Sequence, residues 1–283
     1  KEVEVNKKNL FTLIGVVCLA LVFAVTLLPG CAQGGAPATG TPTQKPAQTV
    51  EWKMNAFGSP GTFWYDGPVE LGNLITKMSD GRLTFKYYAG DVLYPVDKAL
   101  ENTGKGVTEM AFHTGQYSMG VEPALGLCFF PGTILPYEGE LYWEYSPEHM
   151  EIWQGLYNKY NCKWVGLVWP GARGVMMSKK PIRRLADFKG STFRSTGITA
   201  SLISKWGAKV VDLPGPEIYT GLATGVVDAF EFGSYSIDWD MSFQEQVSYA
   251  IEPTIQEGGG HNDYIVNMDV WNKTPADLQT IVT

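Results

Sequence analysis

Histidine and cysteine are scarce in this chain: three and four in 283 residues. His113, His149 and His261 are scattered, and no Cys or His spacing matches a zinc-binding pattern. Positive charge is also in short supply. Lys and Arg number 22 against 29 Asp and Glu, a net charge of −7, and no basic stripe interrupts the balance. A nucleic-acid surface would need one, so nucleic acid is excluded as a partner. Signatures of catalysis are missing too. There is no Gly-x-Ser-x-Gly elbow and no Gly-x-Gly-x-x-Gly fingerprint, and Gly104-Lys105-Gly106 lacks the hydroxyl residue that follows Lys in a phosphate loop. Paired carboxylates of the glycosidase kind need not be neighbours in sequence, so that reading stays open.

Apolar and aromatic residues are plentiful. The chain is 45% hydrophobic and 13% aromatic, with nine Trp and fourteen Tyr. That builds one large core or two modest ones. Aromatics are core material first; lining a ligand cleft is their second use.

Lys7 and Lys8 precede an apolar run from Leu10 to Leu28, closed by Leu28-Pro29-Gly30-Cys31. The run is long enough to span a membrane. Its ending resembles a bacterial lipobox, where the leader is cut before the Cys and the thiol carries lipid. Residues 1–31 are therefore expected to be a lipoprotein signal peptide, with Cys31 as the lipidation site. Residues 32–49, rich in Ala, Gly, Pro, Thr and Gln, cannot bury enough surface to fold. As a flexible tether they reach about 25 Å. The body is thereby placed on an extracytoplasmic membrane face. Cys18 lies in the apolar run; Cys128 and Cys162 are left to the body, either as buried thiols or as a disulfide. The chain begins without Met and stops just after the helix-start signal Thr274-Pro275, so a fragment lacking its C-terminal part is expected.

The body alternates strand and helix patterns. Val50 to Met54 and Arg82 to Ala89 read as strands, Pro68 to Met78 as a helix, Val107 to Phe112 and Lys163 to Trp169 as strands. Two stretches echo each other: VDKALENTGKGVTEMAFHTGQYS and PEIYTGLATGVVDAFEFGSYS. Each is helix, Gly, strand, then a polar loop with Tyr-Ser. Two similar α/β lobes with facing strand tips would enclose a cleft. From Gly190 to Gly233 the pattern is strand–helix–strand–helix–strand with Arg194 and Glu231 at strand ends, where open α/β sheets bind ligands.

Three charged residues stand out. Arg194 offers a rigid fork of donors suited to a carboxylate. Arg173, flanked by Gly171 and Gly174, is a candidate second cation. Glu231 sits between Phe230 and Phe232, where a carboxylate needs a partner: an arginine, a cation or a ligand.

These residues resemble a known family. Pro181-Ile182, Leu185 to Gly190 and Phe193-Arg194 look like the KPI…DLKGLKxR motif of TRAP (tripartite ATP-independent periplasmic) transporter substrate-binding proteins. Glu217-Ile218-Tyr219, Leu222, Gly225 and Val227 to Glu231 are similar to that family's EIYxALxxGxVDAxE. The resemblance covers roughly Trp52 to Pro275. It implies an α/β, two-lobed periplasmic-binding-protein-like fold with a cleft between the lobes and crossing strands. The expected bounds are 50–168 for the first lobe, 169–247 for the second, and 248–283 for a segment crossing back. It also implies a periplasmic receptor, not an enzyme, that captures a small organic acid such as a 2-oxo acid or dicarboxylate and delivers it to TRAP permease subunits. The family arginine that binds the ligand carboxylate falls on Arg194, and some members place a second arginine near Arg173. Members that bind 2-oxo acids carry Glu-Trp where this chain has Glu231-Phe232, with a cation bridging to the ligand, and tend to carry an amide where Arg173 falls. Glu231 is thus the candidate ligand for Na+ or Ca2+; no other cofactor is implied. Phe63, Trp64, Gln116 and Tyr117 are expected to form the opposing jaw, with Phe232 on the wall. The rival readings are a lipid-anchored extracytoplasmic hydrolase and a sensor docking on a signalling receptor.

Overall fold

Strict alternation starts the first sheet. In β1 (Val50–Asn55) Trp52 and Met54 are fully buried while Glu51 faces solvent. The computed structural model describes residues 49–129, 137–168, 174–256 and 260–283; the signal segment, Cys31, the linker and Arg173 lie outside them. β1 runs parallel to β2 (Leu83–Tyr88) along its whole length and parallel to β3 (Met110–His113) on its other side.

Helix α1 (Phe63–Met78) joins β1 to β2, with Trp64, Pro68, Gly72 and Ile75 on its buried face. It starts one turn earlier than the Pro68 start expected from the sequence. Proline has no N–H to give to the carbonyl four residues before it. Here that carbonyl, Trp64 O, accepts from the backbone N–H of Phe57 (3.2 Å) and of Gly58 (3.3 Å) instead. The loop after β1 is thereby fastened to the start of the helix, and Phe57 lies edge-on to Trp64 at 5.9 Å.

Helices α2 (Ala99–Gly104), α3 (Tyr137–Glu144) and α4 (Pro147–Asn158) follow, with β4 (Cys162–Val168) behind them. Pro147 opens α4 after a break in the helical stretch, and Ser146 caps it by accepting from the His149 N–H at 3.2 Å. The second sheet holds β5 (Gly174–Ser178), β6 (Thr192–Arg194), β7 (Lys209–Val211), β8 (Ala229–Glu231) and β9 (Tyr249–Gln256), with α5 (Gly197–Lys205), α6 (Ile218–Ala223) and α7 (Tyr235–Asp240) between them. Then β10 (Asn262–Asn267) rejoins the first sheet, followed by α8 (Met268–Lys273) and α9 (Ala276–Val282). The chain turns helical at Met268 because Asn267 Oδ1 accepts from the N–H groups of Asp269 and Val270, both at 3.1 Å.

The strand orders are β2-β1-β3-β10-β4 and β7-β6-β8-β5-β9. Position by position the two sheets agree: the first three strands are parallel and the last two alternate in direction. The two echoed sequence stretches end in β3 and β8, which occupy the same central position. The chain changes sheet twice, after β4 and after β9. The return therefore begins later than residue 248: β9 is still the edge of the second sheet, paired with β5.

Each sheet is covered on both faces. Met110, Phe112 and Val266 join one apolar cluster, while Ala111 and Ile265 point into another with Leu100, Trp153 and Tyr157. Phe193 and Ala229 serve one face of the second sheet and Phe230 the other. Each large buried side chain contributes about 1.5–3 kcal/mol. Cys128 and Cys162 are buried free thiols. Burial pushes the Cys162 thiol up to about 12 and Cys128 well above its usual value, so both are protonated and unreactive. Among the described residues no helix is long and apolar enough to cross a membrane.

Candidate functional site

Arg194 ends β6, the strand between β7 and β8. Its side chain is 1% exposed. Nε donates to Leu213 O at 2.8 Å, just past β7, and Nη1 donates to Glu231 O at 2.6 Å, at the end of β8. Both flanking strands thus fix the guanidinium by main-chain carbonyls. The Phe232 ring lies 5.2 Å beneath it. Nη2 donates to the Tyr117 hydroxyl at 3.0 Å. A guanidinium has five N–H groups, and these contacts engage three.

Glu231 is 3% exposed, and its Oε2 accepts from Ser195 Oγ at 3.1 Å. Ser195 follows Arg194 directly, so one strand end supplies both the cation and the hydroxyl that orients the carboxylate. Burial pushes the Asp212 carboxyl up, with Arg194 acting against the shift. Burial also pushes Asp238 well above the usual carboxylate range, and Glu231 adds to this.

A cavity of about 40 Å3 opens beside Arg194. The second sheet contributes Arg194, Glu231, Phe232 and the backbone at Gly174 and Gly233–Ser234. The first contributes Phe57, Trp64, Thr114, Gln116, Tyr117 and Asn262. The two sides meet where Gly197, with φ +62°, passes Gln116: a Cβ at Gly197 would stand 3.1 Å from Gln116 Cβ.

The structure brings together Arg194, Glu231, Phe232, Gln116, Tyr117 and Trp64. Phe63 is a correction. It is 41% exposed, is absent from the cavity wall, and packs on Trp64 at 4.9 Å. Both residues belong to α1, where successive side chains point about 100° apart, so only one faces inward. Sequence reasoning missed Thr114 and Asn262. The Thr114 hydroxyl donates to Asn262 Oδ1 at 2.8 Å, and Asn262 Nδ2 is buried with no hydrogen-bond partner. Thr114 lay in the polar loop after β3 and could have been found there. Asn262 carried no signal, because only the pairing of β10 with β3 brings it to that loop.

The site's chemistry bears on a bound cation. Its described lining offers oxygen donors, namely one buried carboxylate, amides and hydroxyls, and no His or Cys. That set fits a hard ion such as Na+ or Ca2+ and not a thiophilic metal.

Two matching sheets whose strand-end loops line one small cavity define a two-lobed small-molecule-binding protein. Residues 54–283 match the family described as bacterial extracellular solute-binding protein, family 7, and the chain belongs to that family. Over 266 residues it is 27% identical to the monocarboxylate 2-oxoacid-binding periplasmic protein of Nostoc sp., covering 93% of this chain and 71% of that one. It is 31% identical over 214 residues to a solute-binding protein of Albidiferax ferrireducens, covering 74% and 61%. Its fold matches a TRAP periplasmic solute-binding protein of Pseudoalteromonas atlantica with bound sodium and pyruvate (TM-score 0.73, 24% identity, 83% of this chain and 71% of that one). It equally matches a TRAP solute-binding protein of Bordetella bronchiseptica with calcium and picolinate (TM-score 0.73, 24% identity, 83% and 70%).

Proposed function

We propose that this protein captures a small organic acid outside the cytoplasm and hands it to the permease of a TRAP transporter. The observation that carries the reading is Arg194. It is a buried guanidinium held on two carbonyls, with unspent donors beside a cavity of about 40 Å3. A charge-assisted pair with a carboxylate stabilises binding by about 1.5–3 kcal/mol per hydrogen bond. The cavity's size favours a compact acid, and the relatives that bind pyruvate or 2-oxo acids have ligands of this class.

In this reading Arg194 clamps the carboxylate and Tyr117 closes over it from the other lobe. Gln116, Trp64 and Phe232 shape the wall. Glu231 holds a hard cation beside the acid, as sodium or calcium accompanies ligand in the similar structures. Arg173, outside the described residues, is the candidate for a second positive charge toward the acid. Cys31 carries lipid, which keeps the receptor at the membrane beside its permease; the Leu28-Pro29-Gly30-Cys31 ending supports this. No bond is made or broken: binding and closure are the whole event.

A thermal-shift and calorimetric screen of pyruvate, longer 2-oxo acids, malonate and picolinate, each with and without Na+ or Ca2+, tests the reading. A raised Tm and saturable heat are expected for at least one acid. Arg194→Ala should weaken that acid at least a hundredfold. Unchanged affinity in that variant, or turnover of the acid, would sink the proposal.

A further inference from the structure

His149 and His261 lie far apart in sequence, but the fold brings them together on one carboxylate. Glu144 ends α3, His149 lies in the first turn of α4, and His261 immediately precedes β10. Glu144 Oε2 is 3.0 Å from His149 Nε2 and 3.3 Å from His261 Nδ1. All three residues are buried, and one ligand atom from each lies within 4.8 Å of the others.

Donor accounting makes this arrangement unusual. His149 Nδ1 is 2.9 Å from the Glu144 main-chain carbonyl, which can only accept. Nδ1 therefore carries the hydrogen, and Nε2 of the neutral ring presents a lone pair. A carboxylate oxygen of Glu144 lies 3.0 Å from that nitrogen: two acceptors in close contact, which a positive centre between them would reconcile. His261 is 0% exposed, and neither of its ring nitrogens has a hydrogen-bond partner.

We propose that Glu144, His149 and His261 form a binding site for a divalent transition-metal ion of the zinc class. Zinc with nitrogen and oxygen ligands at about 2.0–2.1 Å has tetrahedral edges of about 3.3–3.4 Å. The two Glu144–His separations, 3.0 and 3.3 Å, already approach that value, and the third edge lies within 4.8 Å. Two His and one Glu leave the fourth position to water. The outer contacts also fit. Metal-bound histidines commonly give their second N–H to a carbonyl or carboxylate. His149 does so to Glu144 O, and His261 Nε2 points toward Asp263 Oδ1 at 3.9 Å. Asp263 is itself held by the indole N–H groups of Trp153 (3.2 Å) and Trp164 (2.6 Å) and by the Tyr157 hydroxyl (2.5 Å). The Glu144 and His149 side chains keep 11% and 7% of their surface exposed, which gives an ion an entry. The metal would tie the α3–α4 hairpin to the start of β10, one residue from Asn262 in the cavity wall. This site is separate from the acid-binding cavity and does not depend on what that cavity holds.

The test is a Zn2+ titration of chelator-stripped protein, followed by calorimetry and by competition with a chromophoric chelator. Co2+ is used as a visible reporter of tetrahedral geometry. One ion per chain with a Kd of about 1 μM or tighter is expected, with a Tm raised by several degrees. His149→Asn and Glu144→Gln, both at the exposed edge, should each weaken binding by about tenfold to a hundredfold. His113→Gln, which alters the remaining histidine, should leave it unchanged. Absence of one-to-one binding, or equal affinity in the wild type and both edge variants, overturns the site and leaves a buried ion pair only.

Discussion

The Tyr117 hydroxyl, carried by the first sheet, accepts a hydrogen bond from Arg194 Nη2, carried by the second, at 3.0 Å. Burial raises the Tyr117 phenol's pKa and Arg194 opposes that rise, so the hydroxyl stays protonated at neutral pH. A bond of this kind exists only while the two jaws are together. Tyr117→Phe should therefore raise the ligand Kd about tenfold, the equivalent of about 1.4 kcal/mol, mainly through faster release. Stopped-flow dissociation alongside calorimetry checks this. An unchanged release rate would show that the contact does not hold the closed form.

Gly197 gives a steric counterpart. Its φ of +62° disfavours any L side chain, and an added methyl would meet Gln116 of the opposing jaw. Left-handed backbone costs Ala about 1–2 kcal/mol. Gly197→Ala should lower the Tm of the free protein by a few degrees and also shrink the Tm gain produced by ligand. A lowered Tm with the full ligand gain retained would mean that Gly197 matters to the fold and not to closure.

Asp238 tests the cost of a buried carboxyl. Its Oδ1 accepts from the Gly233 N–H at 3.0 Å, and its Oδ2 has no hydrogen-bond partner. Burial raises its pKa, so the folded state holds a proton that the unfolded chain gives up from the ordinary value of 3.8 upward. Stability from this group is present in acid and is lost as pH rises from there toward the raised value. Asp238→Asn keeps the acceptor for Gly233 and removes the loss. Its Tm relative to wild type should climb as pH rises from 3.8 toward neutral. A constant difference across that range would argue that Asp238 titrates normally.

His113 works in the opposite direction. It is enclosed by Tyr157 Oη at 2.9 Å and Ser118 Oγ at 2.8 Å, and burial lowers its pKa from 6.5 to about 4. The folded state binds fewer protons than the unfolded chain in that interval. Stability is therefore whole above pH 6.5 and falls as pH drops toward 4, by an upper limit of about 3 kcal/mol for this group. Asp263, whose pKa burial raises, pulls against this in acid. Denaturant melts of wild type and His113→Gln across the interval isolate the histidine's part: the variant's slope with pH should be shallower. Parallel slopes would refute the assignment.

Much of the architecture could be read directly from the chain. The alternation of Trp52 and Met54 gave β1, and the paired echoes placed β3 and β8 at equivalent points of two sheets. Arg194 stood out as a rigid fork of donors at a strand tip, and because the family motif places its carboxylate-binding arginine there. Contacts made only by topology were not legible. Asn262 meets Thr114, and His261 meets Glu144 and His149, across more than a hundred residues. Two of the three scattered histidines, His149 and His261, meet only because β10 returns to the first sheet. Pro68 misled for a local reason: its missing N–H is offset by the loop at Phe57, which a periodicity count does not see.

The order β2-β1-β3-β10-β4 has a consequence for synthesis. The second sheet is one unbroken stretch, β5 through β9, and can be completed as soon as that stretch is free to fold. The first sheet cannot, because its fourth strand, β10, is made only after the whole second sheet. Until then β3 and β4 have an empty lane between them, with Trp164 and Phe112 deprived of their Ile265 and Tyr264 neighbours. The half translated first is thus the half finished last, and a newborn chain is most in need of a chaperone during that interval.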